Sequence, residues 1–427
     1  MKKLFFLVLP VFIFAQSFMI SNIPLPRTYI LNLDPYECDD TCLKEYLDKE
    51  MVFSFLAHAN KKLTDTNLTE AKKINMAILN IGNIYSNTTL RIAMLLPSKK
   101  IGKYASTTTN AAFAYLLSKS NSFTLKRYNI QTEEFGEIQT ALDLIKAEGF
   151  SYVIAPLTKK GAQNLIALDP DLNVYIPTVN KNDINVSSNY LTFGGIDYKA
   201  QSDLLLKKAH SPLIIFSDKS SIGKELAFYQ EEQFLHPKIK EELSYDDEEP
   251  ELYENTQVKP LYKNITEPKV IKYFISRRTT NLERYLKENE NIIGGSFFIN
   301  TPIIKSGMIM SQLTLYDVNA TNILSTQINY DPLLLSMTQY IDRKNMVVAN
   351  SITKNNNTLI EINSLLGNDI VYDWINYTTT VGIDYFYNLI TGEAREYDII
   401  IDNNQMVYDI ELLRPSLSRF TSYVASP

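Results

Sequence analysis

Histidine, cysteine and paired acids do most protein chemistry, and this chain uses them sparsely. Its three histidines, His58, His210 and His236, lie far apart in sequence, and none belongs to an H-E-x-x-H pattern. Isolated histidines are more often surface or core polar groups than metal ligands. The 48 acids contain no pair that sequence alone marks for glycoside hydrolysis. A G-x-S-x-G elbow is absent, and so are a phosphate loop and a G-x-G-x-x-G turn. Gly194-Gly195 and Gly294-Gly295 are isolated pairs at predicted strand ends. This pattern favours a binding protein over an enzyme, with no catalytic residue, cofactor or metal expected.

Cys38 and Cys42 are the only cysteines, spaced C-x3-C. Met1–Ala15 reads as an export signal: Lys2 and Lys3 open it, and Leu4–Phe14 is an apolar core too short to span a bilayer. Export favours a disulfide between the two cysteines over free thiols, and a metal site would need two more ligands. No later apolar run reaches membrane-spanning length, so a periplasmic chain with no transmembrane segment is expected. Among seven Asn-x-Ser/Thr sequons, Asn67, Asn185 and Asn319 each follow an Asp two residues earlier. That lead resembles an extended bacterial glycosylation site, although coincidence accounts for it in an Asn- and Thr-rich chain. The net charge of -6 argues against nucleic-acid binding, which needs a basic face.

The elements that would position a site follow an alternating pattern. Arg91–Pro97, RIAMLLP, is an apolar run too short for a helix and predicts a buried strand, followed by a loop and the helical AAFAYLL. Strands predicted near 122–128, 151–154, 174–180, 190–195, 212–216, 270–276, 292–299, 323–329 and 346–351 are interleaved with helices, the signature of a parallel α/β fold. Before them, residues 16–89 form a helical preamble with helices predicted near 39–59 and 68–85. Residues 241–254 carry eight acids and no base, and 241–258 reads as a solvated insert. Asp402-Asn403-Asn404 sits between two β-rich runs and predicts a hairpin.

The order of these motifs resembles the type I periplasmic binding-protein fold. That superfamily includes the branched-chain amino-acid receptors and the periplasmic activators of penicillin-binding proteins. The resemblance rests on IAMLLP, GFSYVIAPLTKKGAQNL, IPTVN, FGGIDYKAQSDLL, IIFSDKSSIGKEL and the tail TGEAREYDIIIDNNQMVYDIELL, with Ala155 where a glycine is usual. It implies two lobes, 90–195 with 352–392 and 196–351 with 393–415, and a ligand cleft between them. Carried over by position, the cleft candidates are Ser98, Thr158, Tyr198 and Asp331. The hydroxyls would suit a carboxylate and the acid an ammonium. Lys99, Lys100 and Lys159 depart from the pattern. The implied function is non-enzymatic binding. One form is an envelope regulatory module engaging a protein such as a peptidoglycan synthase. The alternative is a receptor for an amino acid or similar polar solute, and an unrecognised enzyme comes third. Solute receptors start their first strand soon after the leader, whereas residues 16–89 intervene here, which favours the regulatory module.

Overall fold

The computed structural model describes residues 30, 32, 36, 38–59, 63, 65–78, 89–184, 190–236 and 268–423. The expected export signal Met1–Ala15, the acidic run 241–258 and Asn185 lie outside the described residues. The chain divides into two units, Met1–Ser86 and Asn87–Pro427.

In the first unit, helices Asp40–Asp48, Val52–His58 and Thr66–Ile78 pack around Leu43, Phe55, Leu56, Ala59, Leu68 and Met76. The single helix expected over 39–59 breaks at Glu50, whose positive φ of 57° ends one helix before the next begins. Asp39 caps the first helix by accepting from the Cys42 N–H at 2.9 Å, and Cys38 and Cys42 form a disulfide.

The second unit is a two-lobed α/β body built on two seven-stranded sheets. β1 (Leu90–Pro97), β2 (Phe123–Ile130), β3 (Tyr152–Ile154), β4 (Asn173–Ile176) and β5 (Leu191–Phe193) run parallel in the order β2-β1-β3-β4-β5. Only Arg91 of β1 reaches solvent, because helices cover both faces. Leu90, Ile92, Met94 and Leu96 pack with Tyr115 and Tyr377 on one side, and Ala93 and Leu95 pack with Ile138 and Leu165 on the other. Each large aliphatic buried in this way contributes about 1.5–3 kcal/mol.

β6 (Leu213–Asp218), β7 (Val270–Ile275), β8 (Ser296–Asn300), β9 (Asn322–Ser325) and β10 (Met346–Asn350) repeat the plan in the second lobe. Helix Ile303–Leu315 covers one face, and helices Tyr198–Leu206 and Ser221–Leu235 cover the other. The helix expected over 280–288 is confined to Glu283–Leu286, with the Asn281 carboxamide accepting from the Glu283 N–H ahead of it.

The tail departs from expectation. β11 (Ile400–Asp402) and β12 (Gln405–Val407) form the predicted hairpin, with Asn403 and Asn404 at φ 47° and 63° in a two-residue turn. That hairpin was expected in the second lobe, but β12 pairs in parallel with β5 and completes the first sheet. From the tail, β13 (Glu411–Pro415) joins the second sheet antiparallel to β10, and β14 (Phe420–Ser422) pairs antiparallel with β13 at its edge. The physical reason is the break Tyr408–Ile410, which splits one apparent β-rich run between two sheets.

Candidate functional site

The chain passes between lobes after β5, after β10 and after β12. Side-chain amides pin these passages. Gln201 donates to Ser351 Oγ at 2.7 Å and accepts from the Gln327 N–H at 2.9 Å, while Gln327 donates to Asn350 Oδ1 at 2.9 Å. At another passage Asn180 and Gln405 both donate to the Gly195 carbonyl, at 2.9 and 3.1 Å. All five amide side chains are buried, so each bond replaces water that cannot reach them. An added Cβ at Gly195 would lie 2.3 Å from the Val179 carbonyl carbon, which makes glycine obligatory there.

The residues carried over by position fall into two groups. Ser98 opens the short helix Ser98–Ile101 at the end of β1, and its hydroxyl donates to Asn129 Oδ1 at 2.9 Å. Thr158 caps helix Lys159–Leu168: its Oγ1 accepts from the Gly161 N–H at 3.4 Å. Its own donors are taken, because the Thr158 N–H donates to Glu133 Oε1 at 2.7 Å and its hydroxyl donates to Glu133 Oε2. The adjacent Lys159 reaches across the lobes to Glu225 at 3.4 Å, a half-exposed pair worth at most about 1 kcal/mol.

Tyr198 and Asp331 both lie within electrostatic reach of Tyr104. Burial raises the Tyr104 phenol to about 12, and the Asp373 and Asp331 carboxylates add to the effect. Tyr198 is raised by burial, then by Tyr104 and Asp373, and its ring meets that of Trp374 edge-on at 6.1 Å. Burial also raises the Asp373 carboxyl, opposed by N–H donation from Asn376 and by the charge of Lys103. Asp331 is the cap of helix Pro332–Met337 and accepts from the Leu333 N–H at 2.8 Å.

Beside them an aromatic trio links the lobes. Tyr330 lies 5.0 Å from Tyr372 and 4.9 Å from Phe420 by ring centroids, and it packs against the cores of both lobes. Sequence reasoning missed Glu133, Tyr104, Trp374, Tyr330, Tyr372 and Phe420. The one available signal was Asp373 before Trp374, a helix-capping acid preceding the chain's single tryptophan.

The histidines serve local contacts. The His58 ring lies 2.9 Å by Nδ1 from the Ser54 carbonyl, and His210 donates its backbone N–H to Ser296 Oγ at 2.7 Å. Among the described residues, no group of three or more His, Cys, Asp or Glu side chains could hold a metal ion. No helix is long and apolar enough to cross a membrane, again among the described residues.

No protein-family model matches the chain, and no curated protein matches it by sequence. Solved structures do match its fold. A leucine-binding protein of Thermotoga maritima aligns with a TM-score of 0.52 at 11% identity, over 78% of this chain and 98% of that one. LpoA of Haemophilus influenzae aligns with a TM-score of 0.50 at 11% identity, over 88% of this chain and 68% of that one. A solute-binding protein of Rhodopseudomonas palustris, solved with 3,4-dihydroxybenzoic acid, aligns with a TM-score of 0.53 at 11% identity, over 76% of this chain and 93% of that one. The fold is therefore that of the type I periplasmic binding proteins, a group in which both amino-acid receptors and LpoA are found.

Proposed function

We propose that this chain is an exported, non-enzymatic module of the cell envelope that binds another protein, of which a peptidoglycan synthase is one candidate. The observation that carries the reading is the contact of Tyr330 with Tyr372 and Phe420, joined by Tyr198 against Trp374. A receptor of this fold keeps its lobes apart to admit a solute and closes them around it. Here aromatic rings from both lobes already meet in the gap, which supports a body whose binding surface lies outside it. The fold likeness to LpoA, a regulator of PBP1A, is consistent with this reading.

The receptor reading draws equal support from the fold likeness to the leucine-binding protein. It also has its own observation, the acids Asp331 and Asp373, helix caps whose charges both reach Tyr104 and would suit a ligand ammonium. Two measurements separate the readings. Crosslinked co-purification from an envelope extract is expected to yield a protein partner. A thermal-shift screen of amino acids and aromatic acids on the purified chain is expected to show no saturable shift. A saturable shift with one small molecule and no protein partner refutes the proposal.

A further inference from the structure

We propose that Glu133 is an internal ligand: its carboxylate fills the seat at the start of helix Lys159–Leu168 that a free acid would need, and so makes this lobe refuse free carboxylates. The inference deepens the protein-binding reading and rests on it for its biological meaning, while its geometry lies within one lobe.

The seat has the parts of a carboxylate site. The Thr158 N–H and hydroxyl converge on the two carboxylate oxygens at the positive end of a ten-residue helix. Glu133 is 3% exposed, while Thr158 lies at the surface, so these bonds are partly shielded from water. A Cβ at Gly161 would lie 2.7 Å from the Glu133 carboxyl carbon, so the glycine is what leaves room for the acid. The loop that brings Glu133 is tied down independently. Asn164 donates to the Glu133 carbonyl at 2.7 Å, Lys160 pairs with Glu134 at 2.6 Å, and Glu137 accepts from the Gln131 and Thr132 N–H groups at 2.9 and 2.8 Å.

The second lobe repeats the arrangement. Ser220 caps helix Ser221–Leu235 by accepting from the Gly223 N–H at 3.1 Å, and the Ser220 N–H and hydroxyl both donate to Asp218 Oδ1. A Cβ at Gly223 would lie 2.3 Å from that same oxygen. Each lobe thus offers a hydroxyl cap and a glycine two residues into the helix, and each fills the place with an acid of its own. The first turns of the two helices meet through Lys159 and Glu225. A solute carboxylate entering either seat would find its donors already taken by the chain's own acid.

The test is chemical rescue of the full chain with sodium formate, against sodium chloride at equal ionic strength. Glu133→Ala is expected to lower the Tm by several degrees. Formate is expected to restore part of that loss saturably, while the wild type responds to formate as it does to chloride. Glu133→Gln, which fills the seat with a neutral amide, is expected to gain nothing from formate. A Glu133→Ala variant that gains no more from formate than the wild type overturns the proposal. If Glu133→Ala does not fold, the Thr158 amide resonance of the 15N-labelled wild type decides. It is expected to stay in place during a formate titration, and a saturable movement overturns the proposal. Leucine binding that leaves the Thr158 resonance unmoved would refute the protein-binding reading while the internal ligand stands.

Discussion

Gly382 lies inside helix Trp374–Thr391, where alanine ordinarily stabilises by about 1 kcal/mol. Here the substitution is expected to do the opposite. The fully buried ring of Tyr175 crosses the helix at this point, and a Cβ on Gly382 would lie 2.2 Å from its Cε1. Ordinary contact starts at 3.4 Å, so ring and helix would have to part by roughly 1.2 Å. The ring has little freedom to yield. Its hydroxyl donates to the Thr378 carbonyl at 2.9 Å, and on that side Gly194 presses so close that a Cβ there would lie 1.8 Å from the hydroxyl oxygen. Overpacking of this kind costs about 1–3 kcal/mol, so after the helix gain Gly382→Ala should lose a net ~0–2 kcal/mol. In a Tyr175→Ala background the obstruction is gone, and Gly382→Ala should gain about 1 kcal/mol. Equilibrium urea unfolding of the four proteins in this cycle reads the coupling directly, expected at ~1–3 kcal/mol with a change of sign between backgrounds. If Gly382→Ala shifts stability the same way in both backgrounds, the ring does not exclude the methyl group and the reasoning fails.

Three further outcomes are expected. Tyr330→Ala should lose about 2–3 kcal/mol from its two ring contacts, of which the one to Tyr372 crosses between the lobes, and increase the radius of gyration in small-angle scattering. An unchanged radius would mean that the aromatic trio does not hold the lobes together. Asp384 is fully buried and accepts from Tyr115 Oη at 2.7 Å, from the Glu396 N–H at 2.7 Å and from the Tyr397 N–H at 3.1 Å, with Arg395 at 3.4 Å. Asp384→Ala should therefore cost about 3–5 kcal/mol in urea unfolding, whereas Tyr115→Phe should cost only ~1 kcal/mol. Burial raises the Tyr104 phenol from 10.0 to about 12, so the unfolded chain ionises first. The stability this contributes is complete below pH 10 and falls away as pH rises through 12. Tyr104→Phe should flatten that part of the stability profile and remove a component near pH 12 from the phenolate absorbance titration.

Local signals carried much of the fold. The apolar run of β1 and the Asn403-Asn404 turn each have a short-range cause, and each is found as expected. Sheet membership of the tail is different in kind. Gln405 pairs with Phe193, and nothing near Gln405 in sequence encodes so distant a neighbour. The site divides along the same line. Asp331 stands before a proline, a pairing that already spells a helix cap, and its carboxylate does accept the Leu333 N–H. Thr158 was reached only by position in the resemblance, and its role as a helix cap came from the structure. Glu133, the acid that occupies it, looks from sequence like its neighbours Glu134 and Glu137, and only the packing of one loop on another helix distinguishes it.

The route of the tail bears on how such a chain can be made. Polypeptide emerges amino end first, so β5 and β10 are exposed long before the strands that will lie beside them. Until residues 405–413 arrive, both half-built bodies present an open, sticky flank, the kind of surface that invites pairing with the wrong molecule. Neither lobe can be finished and set aside while the other is produced. Maturation is therefore a single late event in which the last strands are dealt to both halves, and a newly delivered chain needs shelter until then.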